Sequence, residues 1–136
     1  MATLKLEIVT PEAKVYSEDV DMVTLPGTEG EMGIYPMHIP LMTQVAAGEI
    51  IARKGGEETY LAVGDGFVEI TGDKVAILTD MAIEADNIDE VKAEEARKRA
   101  EARLEEKLGD EESASVQAAL AHSLAQLNVK RRRRGR

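Results

Sequence analysis

The sequence predicts an all-β domain of antiparallel strands over residues 1–86, followed by an α-helical antiparallel hairpin over residues 87–129. Nine of the eleven glycines fall in the first part, where they separate short apolar segments at intervals of about 8–12 residues, as in small sandwiches and barrels. The charge balance changes at the same point. Residues 1–86 carry 16 acidic and 5 basic side chains, a net charge of −11, whereas residues 87–136 carry 10 and 12, a net charge of +2. Such a difference indicates two structural units.

Short segments of alternating side chains define the predicted strands. Between Thr3 and Thr10, the apolar residues Leu4, Leu6 and Ile8 occupy every second position, which predicts a half-buried strand. Turns rich in glycine or proline bound the other apolar segments. The further predicted strands cover residues 14–16, 20–25, 41–45, 49–53, 58–63, 67–70 and 75–78.

A segment rich in glycine and proline interrupts this pattern at residues 30–41. Its prolines leave few N–H groups for a strand ladder and its glycines permit positive φ, which predicts a shaped loop rather than a long helix or strand. Two interpretations of its apolar side chains remain open. They point into the core from a tight corner, or they form an exposed surface that docks a partner. The side chains concerned are Ile34, Met37, Ile39 and Leu41.

Helical periodicity begins after residue 86. Asn87, followed three residues later by Glu90, predicts a capping box that starts a helix of about 21 residues. Gly109 ends this helix, and a second helix is predicted over residues 113–129. Because the apolar stripes are narrow and rich in alanine, we expect the seam to be weak and able to rearrange. The stripes are Ile88, Val91, Ala96, Ala100, Leu104 and Leu108, and then Val116, Leu120, Leu124 and Leu127.

The chain ends in a basic segment at residues 130–136, with six positive charges in seven residues. One interpretation is a solvated, disordered and flexible tail. The other is a contact for an acidic protein surface or an anionic lipid.

Composition excludes several classes of function. There is no cysteine, so disulfides and thiolate chemistry are absent, and no apolar run approaches the roughly 20 residues of a membrane span. The net charge of −9 argues against a nucleic-acid partner, and 3% aromatic residues argue against base-stacking surfaces. With no signal peptide at the start, we expect a soluble, internal protein.

Catalytic motifs are also missing. The sequence has no P-loop, no dinucleotide fingerprint and no nucleophile elbow, and His38 and His122 do not lie at metal-ligand spacing. We therefore predict no catalytic residues, no metal site and a protein that works by contact. A free-standing β-domain adaptor, which would hold a protein, RNA or membrane partner through its helices and basic segment, remains the alternative.

Several stretches resemble the epsilon subunit of the F-type ATP synthase, over nearly the full length. They are LEIVTP at 6–11, VDMVTLP at 20–26, GEMGIYPMHIPL at 30–41, GFVEI at 66–70 and the pair Ile88-Asp89. The resemblance implies a flattened antiparallel β-sandwich of about ten strands followed by the two-helix hairpin. It also implies a non-catalytic subunit of the central stalk, on the cytoplasmic face of a bacterial plasma membrane, that binds the gamma subunit and the c-ring and meets the membrane only through the complex.

The resemblance assigns roles to particular residues. The c-ring contact falls on Glu31, Met32, Gly33 and His38. The hairpin is the regulatory element, which permits ATP hydrolysis when folded on the sandwich and blocks it when extended towards the alpha and beta catalytic subunits. For the extended form we expect an inhibitory contact from the basic residues Lys130, Arg131, Arg132, Arg133 and Arg134.

Some bacterial members bind regulatory ATP at the start of the hairpin, although no cofactor is required. The corresponding residues here are Ile88, Asp89, Lys92, Ala93 and Arg99. Lys92 departs from the family pattern, which has arginine there. Lysine keeps the charge but lacks the bidentate guanidinium, so phosphate recognition would be weaker. An ordinary capped amphipathic helix is the competing interpretation.

Overall fold

The computed structural model describes residues 2–134. Ten strands come first: β1 Leu4–Val9, β2 Lys14–Val20, β3 Met22–Gly27, β4 Gly30–Ile34, β5 Leu41–Val45, β6 Gly48–Lys54, β7 Glu57–Val63, β8 Gly66–Thr71, β9 Lys74–Thr79 and β10 Ala82–Glu84. A 3₁₀ turn at Ala85–Asn87 leads into the helices α1 Glu90–Leu104 and α2 Asp110–Arg134. The predicted sandwich of about ten strands, followed by two helices, is confirmed.

The strands form two five-stranded layers. One layer has the order β4-β3-β6-β7-β10 and the other has the order β5-β8-β9-β1-β2. The layers join where Gly27 of β3 pairs with Val45 of β5. Farther along, Lys54 Nζ of β6 lies 3.3 Å from the Glu18 carboxylate of β2. The inward side chains of both layers make one apolar core, as the alternation in the sequence predicted.

The prediction that all strands pair antiparallel was wrong for one pair. β1 pairs with β2 antiparallel but with β9 parallel, with Leu6 opposite Val75. This pairing joins strands from opposite ends of the domain. Periodicity along the chain reports which face a strand buries, but it carries no information about such a distant partner.

Two strands were not predicted. β4 occupies the first five residues of the segment expected to be a loop, and it pairs with β3 so that Met32 lies opposite Leu25. The loop itself is confined to residues 35–40. β10 has three residues and pairs with β7. Both are short edge strands, which show little periodicity.

The hairpin begins and ends at different residues from those predicted. Asp89, and not Asn87, caps α1, because its carboxylate accepts a hydrogen bond from the Lys92 backbone N–H at 3.1 Å. α1 ends at Leu104 after 15 residues. The 25 residues of α2 begin at Asp110, where the Gly109 carbonyl accepts the bond from the Ser113 N–H at 2.8 Å.

The largest correction concerns the basic segment. α2 does not end at Val129; it continues through Arg134, so residues 130–134 are helical rather than a solvated, disordered tail. Residues 135 and 136 of the predicted tail lie outside the described residues. In α1 the predicted stripe was wrong at Val91, which is exposed, whereas Ala93 is buried.

Candidate functional site

The residues assigned to the c-ring contact follow one another along β4 and into the loop after it. Glu31 and Gly33 are exposed on the edge strand β4, whereas Met32 packs against the core. His38 lies in the following loop, half-buried, and its Nδ1 donates a hydrogen bond to the Ile39 carbonyl at 2.7 Å. Glu31 lies opposite Pro26 near the start of β4. The loop at residues 35–40, which we call the rim, begins at the other end of the strand, where the Met37 N–H donates to Asp73 at 3.3 Å.

The apolar side chains of this loop face outward, with one exception. Ile34 is only 2% exposed and belongs to the core, but Met37 and Ile39 are 81% and 77% exposed. Leu41 is also exposed, so of the two interpretations left open the core one holds only for Ile34. Met37 has a φ of 68°, a strained conformation for a non-glycine residue. The docking interpretation is the one that fits this rim.

A second apolar surface lies on the outer face of the β5-β8-β9-β1-β2 layer. Phe67 on β8 lies opposite Leu78 on β9, and Leu78 lies opposite Val9 on β1. Phe67 and Leu78 are both exposed. We call this row the outer apolar row. Sequence reasoning missed it, although Phe67 and Leu78 each stand one position away from an inward residue of their strand.

The residues assigned to nucleotide binding separate into two groups. Ile88 and Ala93 are buried, and the Asp89 carboxylate is occupied by capping. Lys92 and Arg99 are exposed on α1, seven residues apart, which places them on one helix face. Neither side chain has a hydrogen bond or ion pair with another described residue.

The hairpin rests on the outer face of the other layer through a small apolar seam. α2 packs across β6 and β7. The seam residues are Ala62, Ala85, Ile88, Ala125 and Val129, flanked by Tyr60 and Ile83. Because three of the five are alanines, the seam buries little apolar area, and polar contacts must help to hold the hairpin.

Polar contacts lie at two places along α2. Near its middle, His122 Nε2 lies 3.0 Å from an Asp80 carboxylate oxygen, although without the geometry of a hydrogen bond. At its end, Arg132 and Arg133 both donate to Glu49 of β6. Lys130 donates to the Ala85 carbonyl at 3.2 Å.

Arg131 differs from its neighbours because its partners are in α1. Its Nη2 donates to Glu94 at 2.8 Å, and its Nε lies 3.9 Å from Glu90. The hydrogen bond from Arg97, and then the one from Arg131, hold the pKa of Glu94 below its usual value. This basic residue therefore ties the two helices together rather than tying the hairpin to the sandwich.

A crevice of about 450 Å³ separates the sandwich from α2. Glu31 of β4 and Glu49 of β6 both line it, facing Leu124 and Arg132 of the helix. Within residues 2–134, neither helix is long and apolar enough to cross a membrane, and no group of three or more acidic or histidine side chains could hold a metal ion.

Comparison with known families gives two matches that together span most of the chain. Residues 3–85 match the family described as "ATP synthase, Delta/Epsilon chain, beta-sandwich domain". Residues 86–131 match the family described as "ATP synthase, Delta/Epsilon chain, long alpha-helix domain".

Similar proteins carry the same description. The ATP synthase epsilon chain of Dehalococcoides mccartyi is 47% identical over 135 residues, which cover 98% of this chain and 96% of the relative. That of Laribacter hongkongensis is 40% identical over 131 residues, covering 95% and 94%.

Two solved structures share the fold. A chain of the Euglena gracilis mitochondrial ATP synthase superposes with a TM-score of 0.76 at 24% identity, covering 94% of this chain and 81% of that one. A chain of the central stalk and c-ring structure of the Tetrahymena thermophila mitochondrial ATP synthase gives a TM-score of 0.53 at 14% identity, covering 64% and 70%. Family matches and relatives agree, and the chain therefore belongs to the ATP synthase delta/epsilon family, as an epsilon-type accessory subunit that is not itself catalytic.

Proposed function

We propose that this subunit sits in the central stalk and helps to couple proton flow through the c-ring to ATP synthesis. The observation that carries the proposal is the exposed apolar rim at residues 35–40. Met37 and Ile39 are almost fully solvent-exposed, which is costly in an isolated protein unless a partner covers them. Glu31, which is exposed near the opposite end of β4, supplies a charge that orients a partner more than it adds affinity. The complex meets its membrane at the cytoplasmic face of the bacterial cell.

The gamma subunit requires a second surface, for which we propose the outer apolar row. Phe67 and Leu78 lie side by side on the outer face of the layer that does not carry the hairpin. A partner that covers this face and a ring that contacts the rim can therefore bind at the same time.

We further propose that the hairpin regulates ATP hydrolysis. Docked on the sandwich, it leaves hydrolysis free; extended, it reaches the alpha and beta catalytic subunits and inhibits them. The thin alanine seam supports this role, because a small difference in contacts then decides the population of each state.

The test uses the reconstituted ATP synthase. Complexes that lack residues 87–136 should hydrolyse ATP faster than complete complexes, while ATP-driven proton pumping per ATP stays the same. Deletion of residues 130–136 alone should relieve part of the inhibition. Unchanged hydrolysis in both deletions would refute the regulatory role, and loss of pumping in the first would assign the coupling to the hairpin instead of the rim.

Regulatory ATP is a second proposed ligand, favoured by the unpaired cations Lys92 and Arg99 on one face of α1. Isothermal titration of the full-length chain with ATP should give heat that disappears in Lys92→Ala and Arg99→Ala. Lys107→Ala removes an exposed charge beyond the end of α1 and serves as the control. Absence of heat at millimolar ATP would remove this ligand.

A further inference from the structure

Glu49 of β6 is the common partner of two consecutive arginines at the end of α2. Its two carboxylate oxygens accept bonds from Arg133, with Nη2 at 2.7 Å and Nε at 3.1 Å. One of these oxygens also accepts from Arg132 Nη1 at 3.0 Å. The arrangement with Arg133 is bidentate, which is the strongest geometry for an arginine and a carboxylate.

This pair is largely shielded from water. The Glu49 side chain is 10% exposed and that of Arg133 is 12% exposed, whereas Arg132 is open to solvent. The hydrogen bonds with Glu49 raise the pKa of the Arg133 guanidinium. Removal of Glu49 would leave Arg133 as a shielded charge without its carboxylate, and removal of Arg133 would leave Glu49 with only the solvent-exposed Arg132. Either loss is more costly than the loss of a surface ion pair.

Tyr60 of β7 completes the site. The Arg133 guanidinium lies over the Tyr60 ring at 3.7 Å from its centroid, within cation–π distance. The Tyr60 hydroxyl donates to Glu58 at 2.8 Å, and Glu58 also accepts from Arg53 at 3.2 Å. Thus the arginine end of α2 contacts a carboxylate and an aromatic face that both belong to the sandwich.

The contact lies beside the joint between β10 and the hairpin, where Lys130 donates to the Ala85 carbonyl. It ties the last turn of α2 directly to β6 and β7, so it must break before α2 can leave the sandwich. Arg131, one residue earlier, pairs with Glu94 in α1 and would move with the hairpin.

We propose that Glu49 and Tyr60 form a latch that holds the last turn of α2 on the sandwich. The arginines of the latch, Arg132 and Arg133, are the same ones that were predicted to contact an acidic surface of the catalytic subunits. Docking on Glu49 and engagement of an acidic protein surface are then mutually exclusive. This competition rests on the proposed regulatory role, whereas the latch itself does not.

The natural absence of cysteine offers a direct test. Ala125 of α2 faces the seam and is buried, so the thiol of Ala125→Cys reacts with a labelling reagent only when the hairpin detaches. In the full-length chain, Glu49→Gln and Arg133→Gln should each speed this labelling by about tenfold or more, as expected for breaking a shielded charge pair. Added KCl should speed labelling in the parent chain more than in Glu49→Gln, because salt weakens the ion pair.

Two matched variants control for charge. Arg131→Gln removes the same charge from the same turn but breaks a pair inside the hairpin, and Glu57→Gln removes an exposed carboxylate from β7. Both should label within about twofold of the parent. A core thiol, Val68→Cys, reports global opening, and its labelling should not change with Glu49→Gln. Equal rates in all variants, or parallel acceleration of Val68→Cys, would overturn the latch.

A separate experiment tests the competition between Glu49 and an acidic protein surface for the arginines of α2. Poly-L-glutamate should speed labelling of Ala125→Cys in the parent chain, and no acceleration would overturn the competition. In the reconstituted complex, Glu49→Gln should lower ATP hydrolysis by favouring the extended hairpin. Faster labelling with unchanged hydrolysis would support the latch and refute the proposed regulatory role, so the two failures are distinguishable.

Discussion

Gly64 lies directly beneath His122: a Cβ atom at position 64 would come within 2.7 Å of the imidazole Nε2 and would collide with the Asp80 carboxylate. Gly64 is fully covered, so the absence of a side chain there is what allows the middle of α2 to approach the sandwich. The imidazole and the carboxylate occupy the space that any other residue would fill.

Gly64→Ala should therefore loosen the docking of α2 without destroying the sandwich. The added methyl group displaces His122 or Asp80, and both belong to the contact between the helix and the sandwich. Labelling of Ala125→Cys should accelerate. Gly109→Ala is the control, because a Cβ there meets nothing within 4 Å. Equal labelling rates in the two variants would show that the close approach at Gly64 contributes nothing to the free energy of docking α2.

Glu31 and Ile34, three residues apart on β4, should respond in opposite ways to substitution. Ile34→Ala removes a fully buried side chain and should lower the free energy of unfolding by about 2–5 kcal/mol. Glu31→Ala changes an exposed carboxylate and should alter it by less than about 0.5 kcal/mol, while it reduces ATP-driven proton pumping in the reconstituted complex.

Urea denaturation checks the first effect and pumping assays check the second. A large loss of stability in Glu31→Ala would mean that this carboxylate supports the fold. Normal pumping with Glu31→Ala would remove it from the proposed ring contact.

The outer apolar row should contribute to binding and hardly at all to folding. Leu78→Ser removes an exposed side chain, so the unfolding free energy should change by less than about 1 kcal/mol. Affinity for purified gamma should fall by about tenfold or more, because the complex would lose the burial of a leucine. Val91→Ser, at another exposed apolar position, should leave affinity unchanged. Equal affinities of the parent and Leu78→Ser would place the gamma contact elsewhere.

Glu94 should make the stability of the hairpin depend on acid pH. Hydrogen bonds from Arg97 and Arg131 lower its pKa in the folded chain, so its contribution is present above the ordinary carboxyl pKa of about 4.3 and is lost as the pH falls through the lowered value. Thermal melts followed by helical circular dichroism should show that the melting temperature falls less on acidification in Glu94→Gln than in the parent.

Glu95→Gln is the matched control for this effect. Glu95 is the next residue of α1 and is exposed, and no described residue forms an ion pair with it. Its substitution should leave the acid loss unchanged. Identical profiles for Glu94→Gln and the parent would contradict the assigned pairing.

Local patterns in the sequence predicted most of the strands. The alternation of Leu4, Leu6 and Ile8 predicted β1, and the glycine turns separated the following strands, because both signals depend on neighbours along the chain. The parallel partner of β1 could not be predicted in this way. Asn87 and Asp89 are both of residue types that favour helix N-caps, so the sequence alone did not separate them. In the structure Asn87 belongs to the 3₁₀ turn that carries Ala85 into the seam, and Asp89 caps α1.

In the candidate site, too, local sequence patterns did not reveal features that depend on distant parts of the chain. The exposure of Glu31 follows from its position on a short edge strand that the sequence did not reveal. Met37 and Ile39 face outward because of where their loop lies relative to the core. The composition of the loop does not reveal that position. The sequence left the basic segment open between a solvated tail and an acidic contact, because its partner within the chain, Glu49, lies more than eighty residues earlier.

The position of β1 between β9 and β2 sets the order in which the nascent chain can fold. β1 leaves the ribosome first but must wait for β9 before both of its edges are paired. The sandwich core contains no residue of the hairpin, so the domain can close as soon as β10 has emerged. α2 is then translated last and meets a finished surface. The arginines at its end can therefore bind the sandwich or a neighbouring subunit only after the sandwich has folded.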